Sequence, residues 1–120
     1  QEVIPQAEPD TELLNEAVEQ QDYAAFRQAM YVYEEPLRKR IGRWVGRYPE
    51  IERRVGEDLK LSDMVEEVFL NALERWDERP REVRVGEWLE QLIDPSVRLL
   101  AEHPSQELEN ISFARTLREM

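Results

Sequence analysis

The run LSDMVEEVFLNALERW, from Leu61 to Trp76, constrains the fold of this chain more than any other stretch. Leu61, Met64, Val65, Val68, Ala72, Leu73 and Trp76 are read as its buried stripe, separated by one, three or four positions. Such spacing gathers them on one side of a helix, whereas a strand would split them between its two faces. Asp63, Glu66, Glu67, Leu70, Asn71 and Glu74 are then expected to face away. A helix so divided needs other apolar faces to bury its stripe, so the remainder of the chain must supply them.

It does so with further helical patterns. Asp10 or Thr11 is expected to cap a first helix carrying Leu13, Leu14, Ala17 and Val18. Asp22 can cap a second, whose stripe is Tyr23, Phe26, Met30 and Tyr33. Pro36 must start or kink a third, because proline lacks a backbone donor and disfavours helical backbone at the residue before it. Leu37, Ile41, Trp44, Val45 and Tyr48 form the buried face of that helix, with Arg38, Lys39, Arg40, Arg43 and Arg47 covering the rest. The polar stretch from Glu50 to Lys60, with Gly56, reads as a connector holding about one helical turn. Ser62 or Asp63 is expected to open the helix at 61–76. After the charged loop DERPREVRVG come Trp88, Leu89, Leu92 and Ile93. Asp94-Pro95 reads as a cap followed by a first-turn proline, starting a short helix that ends at His103-Pro104. Ser105 is expected to cap a last helix with Leu108, Ile111, Phe113, Ala114 and Leu117.

These elements predict an all-α fold, a small bundle of about five helices. Residues 1–9 read as a leader or linker, 10–104 as the helical domain and 105–120 as a C-terminal helical extension. Seven prolines and four glycines disfavour a strand-rich fold with many tight turns. With 120 residues the chain suits one domain with a modest core. The first residue, Gln1, is not methionine, which raises the expectation of a fragment of a longer protein.

The chemistry-bearing residues point to binding and away from catalysis. There is no cysteine, which excludes a disulfide framework and thiol chemistry and fits a reducing, cytoplasmic setting. No apolar run approaches the roughly 20 residues that a membrane span needs, and no signal peptide is visible. Glycine-rich phosphate loops, GxSxG and HExxH motifs are absent from the sequence. His103, the single histidine, is flanked by Glu102 and Pro104 and reads as a solvated turn residue. The expectation is therefore no enzyme, no catalytic residues, no cofactor, no metal and no small-molecule substrate.

The net charge is −11, yet the segment Arg38–Arg54 carries a local excess of five positive charges. Arg38, Lys39, Arg40, Arg43 and Arg47 either touch phosphate or pair with the surrounding acids. Trp44, Trp76 and Trp88 sit on apolar stripes, where a core role is the plainer reading and base stacking the alternative.

In order and motif the chain resembles region 2 of the sigma-70 family of bacterial RNA polymerase initiation factors, in its small extracytoplasmic-function form. Tyr23-Ala24-Ala25-Phe26 through Tyr33, Pro36, Leu37 and Arg40 is similar to the opening motif of that region. The run DMVEEVFLNAL at 63–73 is similar to its second motif, and Trp88-Leu89 to the pair that opens its next helix. The resemblance spans about residues 22–100. It implies that Asp63, Glu66, Glu67, Leu70, Asn71 and Glu74 grip the coiled coil of the polymerase's largest subunit. It implies a role in transcription initiation or its regulation. The promoter-reading segment departs from the family pattern: after Trp88-Leu89 stands EQLIDPSVRLLAEH, with Asp94 and Pro95 where an arginine and an asparagine are common. Weak or lost DNA binding is the corresponding expectation. The polymerase reading requires the acidic face of the 61–76 helix to be open; a final helix lying over it would remove the docking surface. The alternative is a helical protein–protein adaptor within a larger protein, for example a ribosome-associated one, that keeps the fold without sigma activity. A further alternative is a DNA binder acting through Arg38–Arg54.

Overall fold

The computed structural model describes residues 11–119, and those residues form an all-helical domain with no strand among them. The helices are α1 (Thr11–Gln20), α2 (Tyr23–Ala29), α3 (Glu34–Val45), α4 (Pro49–Glu52), α5 (Leu61–Glu74), α6 (Val85–Gln91), α7 (Ile93–Glu102) and α8 (Pro104–Glu119). Short 3-10 turns follow α2 and α5. The expected total of about five helices is too low. α2 and α3, and α6 and α7, stand as separate helices, and Pro49 adds the one-turn α4.

Several boundaries have a plain local cause. Asp22 caps α2 as expected, its Oδ1 accepting from the Ala25 backbone N–H at 3.1 Å. The expected cap at Asp10 lies outside the described residues. Pro36 sits in the first turn of α3, where a missing N–H costs nothing. Pro95 does the same in α7, but Asp94 is a helical residue and not the cap, because the chain turns already at Leu92. Likewise α5 starts at Leu61 and α8 at Pro104, each one residue or more before the expected caps. Between α4 and α5, Gly56 adopts φ +92°, a backbone that favours glycine. Its N–H donates to the Leu59 carbonyl at 2.7 Å and closes the connector.

The core explains why α5 dominated the sequence. This helix packs against α2, α3, α6, α7 and α8. Met64, Val65, Val68, Phe69, Ala72 and Leu73 are buried on it. Around them lie Phe26, Met30 and Tyr33 from the α2–α3 junction, Leu37, Ile41 and Val45 from α3, and Trp88, Leu89, Val97 and Leu100 from α6 and α7. Phe26, Trp76 and Trp88 stack edge to face, with centroids 5.7 Å and 5.6 Å apart. Residues 105–119 are part of this core: Ile111 and Ala114 of α8 belong to the same cluster. Phe113, expected on the apolar stripe of that helix, is 66% exposed.

Candidate interaction surfaces

Two surfaces carry the residues that the sequence singled out, and they differ in accessibility. The first is the acidic side of α5. It is not an open face. Asp63, Glu66, Glu67 and Asn71 are buried, Leu70 is half-buried, and Glu74 alone is exposed. The cause is α8, which lies across α2, α5 and α7 and brings Glu107, Ile111 and Ala114 down on one stripe. The expectation that these six residues face outward is corrected.

Each buried acid has a separate solution to its burial. Glu66 Oε2 accepts from the Tyr23 hydroxyl at 2.6 Å and from Arg27 Nη1 at 2.6 Å. Its other oxygen accepts from Arg118 Nη1 at 2.7 Å. Arg27 is itself buried, stacks over the Phe69 ring at 4.5 Å, and also pairs with Glu34. Burial works against the Arg27 cation, but Tyr23 and Glu66 outweigh it and hold its pKa above the ordinary value. Burial raises the Tyr23 hydroxyl as well, so this tyrosine stays protonated and donates. Asp63 is met by Arg115 at 2.8 Å, from the same turn of α8 that supplies Arg118. Asn71 donates to the Ser96 hydroxyl of α7 at 2.9 Å.

Glu67 is the exception. Both its carboxyl oxygens are buried and receive no donor. The group facing it is another carboxyl, that of Glu107 on α8. Two carboxylates cannot satisfy each other, but one proton held between them can. Burial first, and then Glu107, pushes Glu67 up to about 9. At neutral pH it is therefore the protonated member, donating to Glu107.

The second surface is the outer side of α3 with the adjoining edge of α7. Lys39, Arg43 and Arg47 are exposed there, and Arg40 is half-buried and bound to Glu90 of α6 at 2.8 Å; Arg38 is exposed on the other margin of α3, beside Ser62 of α5 and Arg115 of α8. Among the described residues, Arg38, Lys39 and Arg47 have no carboxylate at ion-pair distance. Trp44 and Tyr48 were expected on the buried face with Leu37, Ile41 and Val45. Both are half-exposed instead, because α3 meets α7 along the Ile41–Val45 side and leaves them at its margin. Their rings lie 4.4 Å apart, and the Arg98 guanidinium covers Tyr48 at 4.9 Å and Trp44 at 5.7 Å. Arg98 is held there by Asp94, one turn earlier, at 3.0 Å. A cavity of about 190 Å³ opens beside Trp44, lined by Arg40, Arg43, Arg47, Glu90 and Ile93.

The sequence reading missed Tyr23, Arg27, Glu107, Arg115 and Arg118 as partners of the α5 acids. One signal was present: Arg27 stands one turn after Tyr23, within a stripe that is otherwise buried. It also missed Arg98 as the companion of Trp44 and Tyr48. His103 is exposed where α7 gives way to α8. Among the described residues no group of three or more His, Cys, Asp or Glu could hold a metal, and no helix is long and apolar enough to cross a membrane. Comparison with protein-family models, with curated proteins and with solved structures gives no match.

Proposed function

We propose that this chain is a non-catalytic helical adaptor of the cytoplasm, with sigma-70 region-2-like helix order, serving a larger assembly without an open polymerase-docking face. One observation supports this reading above the rest. Of the α5 residues that the resemblance assigns to polymerase, Asp63 and Glu66 are spent on internal ion pairs beneath α8, Glu67 and Asn71 are buried, and Glu74 alone is exposed. With α5 committed, the basic side of α3 is an exposed surface that a partner could use. A ribosome-associated assembly, rich in phosphate, would suit its charge. Recovery of ribosomal subunits without RNA polymerase, from a pull-down with the full-length protein, supports the adaptor. Stoichiometric polymerase recovered by the intact chain overturns it.

A second reading has an observation of its own. Arg115 and Arg118 of α8 occupy Asp63 and Glu66 as the arginines of a basic partner helix would. If α8 swings away, α5 offers polymerase the surface that the resemblance requires, and the module contacts polymerase in transcription initiation or its regulation, with weak promoter DNA binding. Polymerase binding gained by the double variant Arg115→Glu and Arg118→Glu, and absent from the parent, favours this reading. No gain in a variant that remains folded removes it.

A further inference from the structure

Leu13 of α1 and Tyr31, just after α2, are large hydrophobic side chains left 59% and 71% exposed. Each borders a concavity. Leu13, with Ala17 of α1 and Ala25 and Ala29 of α2, lines one of about 280 Å³. Asp22, Ala25 and Gln28 line that one and also a second, of about 510 Å³, which runs on to Tyr31. The two make one groove along the outer side of α2, apolar at its Leu13 end. Charge narrows the choice of occupant. No Lys or Arg lines the first concavity, whereas Glu16 and Asp22 do. Neither acid has a cation at ion-pair distance among the described residues. In the second, Arg27 and Arg118 are already bound to Glu66. Residues 1–10 hold Glu2, Glu8 and Asp10 and no Lys or Arg, so the chain's own first segment has the wrong charge to cover this groove.

We infer that this groove docks an amphipathic helix of a basic partner protein. An apolar side chain of that helix enters against Leu13 and Ala25, and its lysines or arginines meet Glu16 and Asp22. Helix-in-groove recognition rests on this division between an apolar anchor and a charged rim. A lone cation would gain nothing from the alanine floor, and an uncharged apolar helix would leave the two carboxylates without counterions. A second copy of this chain meets the general repulsion of a molecule with net charge −11. The inference goes beyond the adaptor reading and stands without it. The groove shares no residue with the basic side of α3, nor with the α5 residues that the resemblance assigns to polymerase.

The probe is a labelled synthetic helix of about 18 residues built from leucine and lysine with the two on opposite faces. Fluorescence anisotropy with the full chain measures its binding, against a scrambled peptide of the same composition and against polylysine. The amphipathic peptide is expected to bind at least about tenfold more tightly than the scrambled one. Amide shifts in the nitrogen-15 NMR spectrum should concentrate at Leu13, Gln20, Ala25 and Gln28. Leu13→Ser is expected to weaken binding about fivefold or more, and Ala25→Lys, which fills the groove and reverses its sign, about tenfold. Phe113→Ser, at an exposed hydrophobic side chain of α8 outside the groove, should leave it unchanged. Urea unfolding of each variant separates a lost contact from a lost fold. Absence of binding overturns the proposal, as does binding indifferent to both groove substitutions in folded variants, or polylysine binding as tightly as the peptide. Methyl contacts of Val3 or Ile4 with Ala25 in the free chain assign the groove to the first segment and overturn it. Self-association abolished by Leu13→Ser assigns it to a second copy and overturns it too.

Discussion

The acidic side of α5 and the basic side of α3 look alike in sequence and have opposite fates in the structure. Each is the charged half of an amphipathic helix, and each reads as a solvated face. On α3 that reading holds for Arg38, Lys39, Arg43 and Arg47, which are exposed. On α5 it fails, because Glu66 and Glu67 are 2% and 0% exposed. The difference is position in the bundle. α3 packs against α4, α5, α6 and α7 but keeps its basic side exposed, whereas α5 is packed against five helices, with α8 over its acidic side. Amphipathic pattern therefore reports which residues need a partner, but whether another helix lies over the charged side decides whether that partner is water or protein.

The largest effect that would sharpen this contrast is expected at Glu66. Glu66→Ala removes the acceptor for Tyr23, Arg27 and Arg118 together, and leaves Arg27 at 5% exposure with Glu34 as its remaining carboxylate. Breaking a buried pair from one side costs about 3–5 kcal/mol. Urea denaturation should show that loss, while Glu74→Ala on the same helix should stay within about 0.5 kcal/mol because Glu74 is exposed. Equal effects at the two positions would mean that α5 is not enclosed as described.

The next effect has the opposite sign. Glu67 holds its proton up to about 9 in the native state, against 4.5 in the unfolded chain. Below pH 4.5 both states are protonated and the group is neutral in the balance. As pH rises from 4.5 towards 9 the unfolded state releases the proton and the native state keeps it, so native stability falls across that window. Glu67→Gln keeps the donor to Glu107 and removes the titration. It should stabilise the protein by on the order of 2–3 kcal/mol at pH 7, with the gain fading towards pH 4. Thermal unfolding of both proteins at pH 4, 7 and 8.5 measures it; a gain that does not change with pH would refute the shared proton.

Much of the fold was legible in the sequence because its signals are local. The helix periods, the Asp22 cap and the first-turn prolines place α2, α3 and α5 nearly where they stand. The site was legible only where it depends on a single helix, as on the outer side of α3. What escaped depends on long-range contacts. Arg118 meets Glu66 across 52 positions and Arg27 meets it across 39, and no spacing rule links residues so far apart. The half-exposure of Trp44 and Tyr48 was hidden for the same reason, since it follows from the way α7 crosses α3. The mixed character of α8 misled most: its exposed Phe113 reads as core, and its pattern gives no role to the arginines that close over α5.

Smaller effects separate the two regions further. Arg118→Ala removes one of three groups donating to Glu66, and the arginine side chain is 35% exposed, so water can replace it. The expected loss is about 1 kcal/mol, well below that of Glu66→Ala.

The smallest change belongs to α3. Lys39→Gln with Arg47→Gln alters two exposed cations that have no carboxylate at ion-pair distance among the described residues. Nothing buried is left unpaired, and both side chains are replaced by good or fair helix formers. Stability should stay within about 0.5 kcal/mol of the parent in urea at 150 mM salt. A loss above about 1.5 kcal/mol would mean that this face, like that of α5, is engaged in holding the bundle together. The contrast between a committed acidic surface and an exposed basic one would then collapse, and with it the reason for placing a partner on α3.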